Sequence, residues 1–195
     1  MNKRGQVKPE SVLTLNDDFA LIRSFNEGDE LAFRTLVNRH KEKVRNLVFL
    51  TLGNTDQIDD ITQEVFISVY RHLKEFRYES RFTTWLYRIT VNKCRDSIRR
   101  AKIRSIFSPF SDDEDPTLSV SHDDNSDVSQ IVRNAVSKLP EKLRIPLVLK
   151  DFEGLSYQEI AEALGGVEMG TVKSRIFRAR ETLRKSLEPL RKELI

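Results

Sequence analysis

The stretch GTVKSRIFRARETLRK, residues 170–185, carries Lys173, Arg175, Arg178, Arg180, Arg184 and Lys185 and almost no acid. Side chains of this type make charge-assisted hydrogen bonds to phosphates and, from Arg or Lys, to base edges. Three destinations suit such a segment: a solvated helix face, a membrane-surface helix or a reader of nucleic acid. A second stretch, RYESRFTTWLYRITVNKCRDSIRRAK, interleaves Tyr78, Phe82, Trp85 and Tyr87 with Arg77, Arg81, Arg88, Lys93 and Arg95. Aromatic faces stack on unpaired bases while cations follow phosphates, so this composition suits single-stranded nucleic acid.

Other chemistries lack their residues. There is no phosphate-binding glycine loop, nucleophile motif or metal-ligand cluster, and the Asp59-Asp60 pair is explained by its position near a helix start. A single cysteine, Cys94, excludes an internal disulfide and reads as a small buried apolar residue, while His40, His72 and His122 are scattered. No enzyme activity, cofactor or structural metal is expected.

The 195 residues suffice for one large domain or two small ones. Lys and Arg total 33 against 30 Asp and Glu, so the net charge is only +3 and electrostatic function depends on distribution. No window approaches the roughly 20 apolar residues of a membrane span, and MNKRGQVKPESVLTLNDD lacks a signal-peptide core. A cytoplasmic protein without membrane insertion is expected.

The elements that must position the two stretches are helical. Residues 17–104 contain long proline-free runs with apolar spacings of three and four. Leu31, Phe33, Leu36 and Val37 open one helix that should run to about Thr51. Phe66, Val69, Tyr70 and Leu73 mark a face of another, expected to start after Asn54 or Thr55. A third should begin near Thr83 or Thr84. Its Arg88, Asn92, Arg95, Arg99 and Lys102 share one face, giving a strip of charge. Trp85, with Leu86 and Ile89, reads as core, whereas Tyr78 and Phe82 are placed in the preceding loop as exposed stacking residues.

Composition breaks at SIFSPFSDDEDPTLSVSHDDNSD, residues 105–127, which has no Lys or Arg and reads as a flexible linker. A sharper alternative has Asp112, Asp113, Glu114 and Asp115 mimic nucleic-acid charge in a basic groove. Helical text resumes at Val128. Pro140 suits a helix's first turn; Pro146 should kink that helix or fall in its first turns, and Gly154 ends the segment. Ser156 and Glu159 form the S-x-x-E pattern of a capping box.

Ile160, Ala161 and Leu164, then Gly165 and Gly166, then a stripe of Val172, Ile176, Ala179 and Leu183 describe a helix, a turn and a second helix. Lys173, Ser174, Phe177 and Arg178 lie off the stripe near the start of the second helix, where a recognition helix meets base edges. The competing reading is a generic helical hairpin with a wet basic face.

Together, DDITQEVFISVYRHLKEFRYESRFTTWLYRITVNKCRDSIRR and LPEKLRIPLVLKDFEGLSYQEIAEALGG followed by GTVKSRIFRARETLRK resemble the extracytoplasmic-function (ECF) sigma factors of the bacterial sigma-70 family. The resemblance implies an all-α chain of two small helical domains: a sigma-2-like bundle over 12–104, an acidic linker over 105–127 and a sigma-4-like helix-turn-helix over 128–195. The implied partners are core RNA polymerase, promoter DNA and an anti-sigma factor. By similarity, Asp60, Gln63, Glu64 and Phe66 match the polymerase-docking helix. Arg77, Tyr78, Phe82, Trp85 and Arg88, with Asn92 and Arg95 beyond them, match the element that melts the minus-ten DNA. Lys173, Ser174, Phe177 and Arg178 match positions facing the minus-35 major groove, with Arg175 and Arg180 directed to phosphates or acids.

One departure stands out. The family's turn places three residues between the LG and GTV motifs, whereas Gly166, Val167, Glu168 and Met169 make four here. The extra residue is either absorbed in the turn or rotates the second helix. A stand-alone DNA-binding regulator remains the alternative function; it would bind duplex DNA without polymerase and would not need Tyr78 or Phe82.

Overall fold

The structure, a computed structural model, describes residues 17–53, 56–107 and 128–193. Helices α1 (Asp18–Asn26), α2 (Glu30–Leu52), α3 (Ile58–His72) and α4 (Phe82–Phe107) form the first half; α5 (Val128–Ser137), α6 (Glu141–Asp151), α7 (Tyr157–Ala163) and α8 (Met169–Glu193) form the second. The described residues are all-α, as expected. Most of the expected linker, with its acidic run, lies outside them.

Local chemistry sets the helix ends. Asp17 and Asp29 cap α1 and α2, their carboxylates accepting from Phe19 N at 3.1 Å and Leu31 N at 2.9 Å. Helix α3 starts later than the expected Asn54 or Thr55: it begins at Ile58 after Gln57, which makes no side-chain cap. Helix α4 starts one or two residues early, at Phe82, and runs past residue 104 to Phe107. Apolar burial of Phe82, 2% exposed, draws it into the helix rather than the loop. Pro140 stands at the N-cap of α6 rather than in its first turn, and Pro146 lies buried within a helix that continues to Asp151. The capping box at α7 forms: Ser156 Oγ accepts from Glu159 N at 3.2 Å, and Ser156 N donates to Glu159 Oε2 at 2.8 Å.

Two apolar clusters hold the molecule together. One belongs to α1–α4 and includes Ile22, Leu36, Val44, Val65, Val69, Phe82, Leu86 and Cys94. The other is built by α5–α8, from Val136, Ile145, Val148, Leu149, Ile160, Val172, Ile176 and Ala179, and it also takes in Leu47, Leu50, Tyr87 and Val91 of the first half. The halves therefore share a core along a seam. Gly53 marks a close backbone approach: it ends α2 at φ 71°, and a Cβ there would lie 3.0 Å from Ser137 Cβ of α5. A side chain at this position would meet both a backbone penalty and a collision.

Sequence reading missed a second tie. Asp18 at the start of α1 bonds Arg39 Nη1 at 2.6 Å and His40 Nε2 at 2.9 Å, which fastens α1 to α2. Burial works against the Asp18 carboxylate, but His40 and Arg39 together hold it below its ordinary range.

Candidate nucleic-acid interface

The residues expected to dock polymerase split between the two flanks of α3. Asp60 and Glu64 line one groove with Gln57, Ser97, Arg100 and Arg104. Gln63 and Phe66 line another, of about 770 Å³, with Phe33, Val37, Lys41 and Tyr70. Helical geometry explains the split, because positions four apart share a face and neighbouring positions diverge. Phe66 is mostly core at 8% exposure. Glu64 already meets Lys93 at 3.5 Å and Arg100 at 3.9 Å. Beside the larger groove, Ile67 and Tyr70 are exposed, and Tyr70 donates to Glu30 Oε1 at 3.0 Å. Neither was singled out from the sequence for docking; their large apolar bodies at the edge of the α3 stripe were the available signal.

The aromatic stretch folds into a nest at the α3–α4 junction. Phe76 lies 5.4 Å from Trp85 and 6.1 Å from Phe82 between ring centroids, while Tyr78 packs edge-on to Phe19 at 5.4 Å. Each such pair adds roughly 0.5–1.5 kcal/mol beyond area burial. Tyr78 is 38% exposed and has φ 59°, a left-handed conformation costing about 1–3 kcal/mol, which the surrounding rings hold in place. Phe82 contradicts its expected role as an exposed stacking residue: it is a structural ring beneath the surface. Trp85, expected as core, packs half-buried against that core and also lines a surface cavity.

That cavity, about 480 Å³, is lined by Glu75, Phe76, Arg77, Glu79, Ser80, Thr84, Trp85 and Arg88 of the first half and by Glu162 of α7. It combines an aromatic wall with two guanidinium groups. Asn92 is exposed further along α4. The expected strip of charge is not bare, because Arg95 pairs with Glu141 of α6 at 3.4 Å and Arg99 with Asp96 at 3.0 Å.

In the second half, the turn after α7 places Gly165 and Gly166 at φ 91° and 85°. Both N–H groups are used there, Gly165 N donating to Glu162 O at 3.0 Å and Gly166 N to Ala161 O at 2.9 Å, where Val167 N also donates at 3.2 Å. The four-residue spacing is absorbed in this turn, since Val172, Ile176 and Ala179 remain buried. Lys173, Phe177 and Arg178 are exposed, Phe177 at 68%; Ser174 and Arg175 are half-buried. Ser174 Oγ bonds its own helix at Thr171 O, 3.0 Å away, and Lys173 Nζ rests 5.6 Å from the Tyr157 ring centre. Arg180 braces α8 to α6 by a fork onto Asp151, at 3.1 and 2.5 Å, an acid rather than an open phosphate site.

The structure thus pairs a helical bundle bearing an aromatic-walled cavity, in which Arg77 and Arg88 stand among Glu75, Glu79 and Glu162, with a helix-turn-helix that has a cationic outer edge. Comparison with known proteins supplies the class. Sigma-70 region 2 matches residues 36–103, and Sigma-70, region 4 matches residues 129–183. The chain is 36% identical to the RNA polymerase sigma-H factor of Pseudomonas aeruginosa, covering 93% of this chain and 100% of that one. It is 38% identical to the ECF RNA polymerase sigma-E factor of Escherichia coli, over 89% of this chain and 95% of the relative. The chain belongs to the ECF RNA polymerase sigma factors.

Solved structures agree on the fold. CnrH in complex with the cytosolic domain of CnrY matches with a TM-score of 0.66 at 27% identity, over 88% of this chain and 97% of that one. The sigma factor RpoE of Bartonella quintana, in complex with the anti-sigma factor NepR, gives 0.70 at 22% identity, over 80% and 96% of the two chains. The family is one of transcription initiation factors rather than catalysts. Among the described residues, no helix is long and apolar enough to cross a membrane.

Proposed function

We propose that the chain directs core RNA polymerase to its promoters from the cytoplasm, with no catalysis of its own. Domain limits of 12–104 and 128–195, joined through 105–127, accompany this reading. The observation that carries it is the cavity bearing Arg77, Trp85 and Arg88 in the same chain as an exposed cationic recognition helix. One site accommodates an unpaired base and the other presents a convex edge to a duplex, and promoter opening needs both.

In this reading the two flanks of α3 dock on polymerase, through Asp60 and Glu64 on one side and Gln63 and Phe66 on the other. Trp85 offers a stacking face to an extruded minus-ten base, and Arg77 and Arg88 hold adjacent phosphates; Tyr78, Asn92 and Arg95 extend that surface. Extrusion costs roughly a few kcal/mol, which stacking and polymerase binding offset. Lys173, Phe177 and Arg178 face the minus-35 groove; Ser174 and Arg175 flank them. An anti-sigma factor, the partner of the solved Bartonella quintana relative, is the expected inhibitor.

The experiment is transcription by sigma-free core polymerase on fragmented genomic DNA, with start sites sequenced for wild type, Trp85→Ala and Lys173→Ala. Discrete start sites sharing two upstream elements support the reading. Duplex binding without polymerase-dependent initiation would instead favour a stand-alone regulator.

A further inference from the structure

Three consecutive residues at the start of α1 each hold a different neighbour. Asp17 caps the helix, accepting from Phe19 N at 3.1 Å. Asp18 fixes it to α2 through Arg39 and His40. Phe19 packs on the loop between α3 and α4: its ring centre lies 5.4 Å from that of Tyr78, edge-on, and 6.0 Å from that of Phe76. His40, tied to the same Asp18, packs edge-on to Phe82 at 5.3 Å, where α4 begins. The first turn of α1 therefore reaches this loop directly at Phe76 and Tyr78 and, through His40, at its far end.

The loop needs such support. Tyr78, at φ 59°, is the non-glycine residue with a positive φ among the described residues. No backbone N–H from Arg77 to Ser80 donates to a backbone carbonyl among those residues, so rings rather than a backbone ladder keep the loop in shape. A left-handed backbone is disfavoured for a bulky side chain, and Tyr78 without its ring partners would relax to negative φ. Phe76, Arg77, Glu79 and Ser80 all line the cavity, whereas Tyr78 between them does not. A change of φ at Tyr78 would re-aim its neighbours on both sides.

We propose that Phe19 is a positioning residue for base choice at the minus-ten element: its ring clasps Tyr78, keeps residues 76–81 in the left-handed turn, and so holds Arg77, Glu79 and Ser80 where an unpaired base meets them. This rests on the proposal that the cavity takes an unpaired base. Phe19 acts through Tyr78 and meets no DNA. Attraction between a guanidinium and a phosphate tolerates a loop that shifts, whereas hydrogen bonds to a base edge depend on distance and angle. Loss of the clasp should therefore erode the choice of base more than the hold on the strand.

Two measurements test this. In the first, the free full chain is digested with trypsin and cleavage after Arg77 and Arg81 is scored, a rate that follows the population of the opened loop. Phe19→Ala and Phe19→Leu, the second keeping bulk without a ring, should raise it about fivefold, equivalent to ~1 kcal/mol, the size of one aromatic pair. Phe19→Tyr should keep the wild-type rate. Phe25→Leu is the control, because it removes a ring at the other end of α1 that packs on Phe33 and Tyr70; it should leave both cleavages unchanged. In the second, holoenzyme transcribes a library of one of its promoters randomised across the minus-ten element. Phe19→Leu should lower the ratio of preferred to unpreferred bases about fivefold at one position, leaving output from the unpreferred bases near wild type, and Phe19→Tyr should restore the ratio.

A uniform drop in output across the library, with base ratios intact, would make Phe19 a stabilising ring only and overturn the proposal. So would cleavage after Arg77 and Arg81 that rises as much in Phe25→Leu as in Phe19→Leu, or that rises in neither; both outcomes leave the sigma-factor reading standing. Absence of any minus-ten preference in wild-type holoenzyme would instead sink the reading on which the clasp rests, and its role in base choice with it, whatever the digestion showed.

Discussion

In the proposed function, the two halves handle nucleic acid with opposite shapes. The first builds a concavity: Phe76 and Phe82 are buried beside Trp85, and Arg77 and Arg88 stand among Glu75, Glu79 and Glu162 around the rim. The second builds a convex edge: Val172, Ile176 and Ala179 are buried, and Lys173, Phe177 and Arg178 project outward. An unpaired base needs a walled recess with an aromatic face, whereas a duplex presents its own groove and asks for a protruding helix. Charge alone does not distinguish these uses; what lies under the cations does.

The largest expected effect tests that difference at its foundation. Phe82→Ala should remove about 3–5 kcal/mol of stability, as truncation of a buried aromatic ring does, measured by urea denaturation of the first half's transition. A loss below about 1 kcal/mol would return Phe82 to the surface role its sequence position suggested. Trp85→Ala should behave differently. It is expected to lower minus-ten-dependent initiation by the equivalent of ~1–3 kcal/mol of stacking, while minus-35 duplex binding persists. If both DNA activities fell together, the two halves would not divide the work.

The contrast between these two rings also shows how much the sequence disclosed. Helical periodicity, the capping box at Ser156 and Glu159, and the buried stripe of α8 were legible because each depends on residues a turn or so apart. Phe82 was misplaced, and the exposed edge of Trp85 was missed, because both rings are set by packing against Phe76, at a position that no local period encodes. The seam was hidden for the same reason: Tyr87 with Glu153, and Gly53 against Ser137, meet across a long stretch of chain. The split of Asp60 and Glu64 from Gln63 and Phe66 was latent in their spacing, but only the packing of α2 and α4 on either side turned it into two grooves.

A smaller effect should separate positioning from specifying in the second half. Lys173→Ala is expected to reduce the slope of log affinity against log salt by about 0.9 if its ammonium meets a phosphate. A bidentate contact to guanine would show itself as relaxed preference at one base of the minus-35 element. Ser156→Ala, which removes a cap without touching any DNA contact, should cost roughly 1 kcal/mol and leave the salt slope unaltered. A changed slope in that variant would mean that α7 presents charge to DNA directly.

The smallest effect lies where the halves meet. The Glu159 carboxylate accepts from the Ser156 N–H and is also favoured by the Ser156 side chain and by nearby Arg81, and these contacts hold its carboxyl below the ordinary 4.5. The unfolded chain therefore binds this proton at a higher pH than the folded one, so stability rises with pH across that interval. The contribution is present above about pH 4.5 and is lost as pH falls through the folded value. Denaturation midpoints compared at neutral pH and near pH 4 should thus fall less steeply in Glu159→Gln than in wild type. Arg81→Ala should keep most of the wild-type slope, because the Ser156 hydrogen bonds dominate the shift and Arg81 enters only through a longer Coulombic contact. A slope abolished by Arg81→Ala would instead show that the seam, rather than the cap, sets the charge of this acid, and would make the contact between the halves stronger than its 3.5 Å separation suggests.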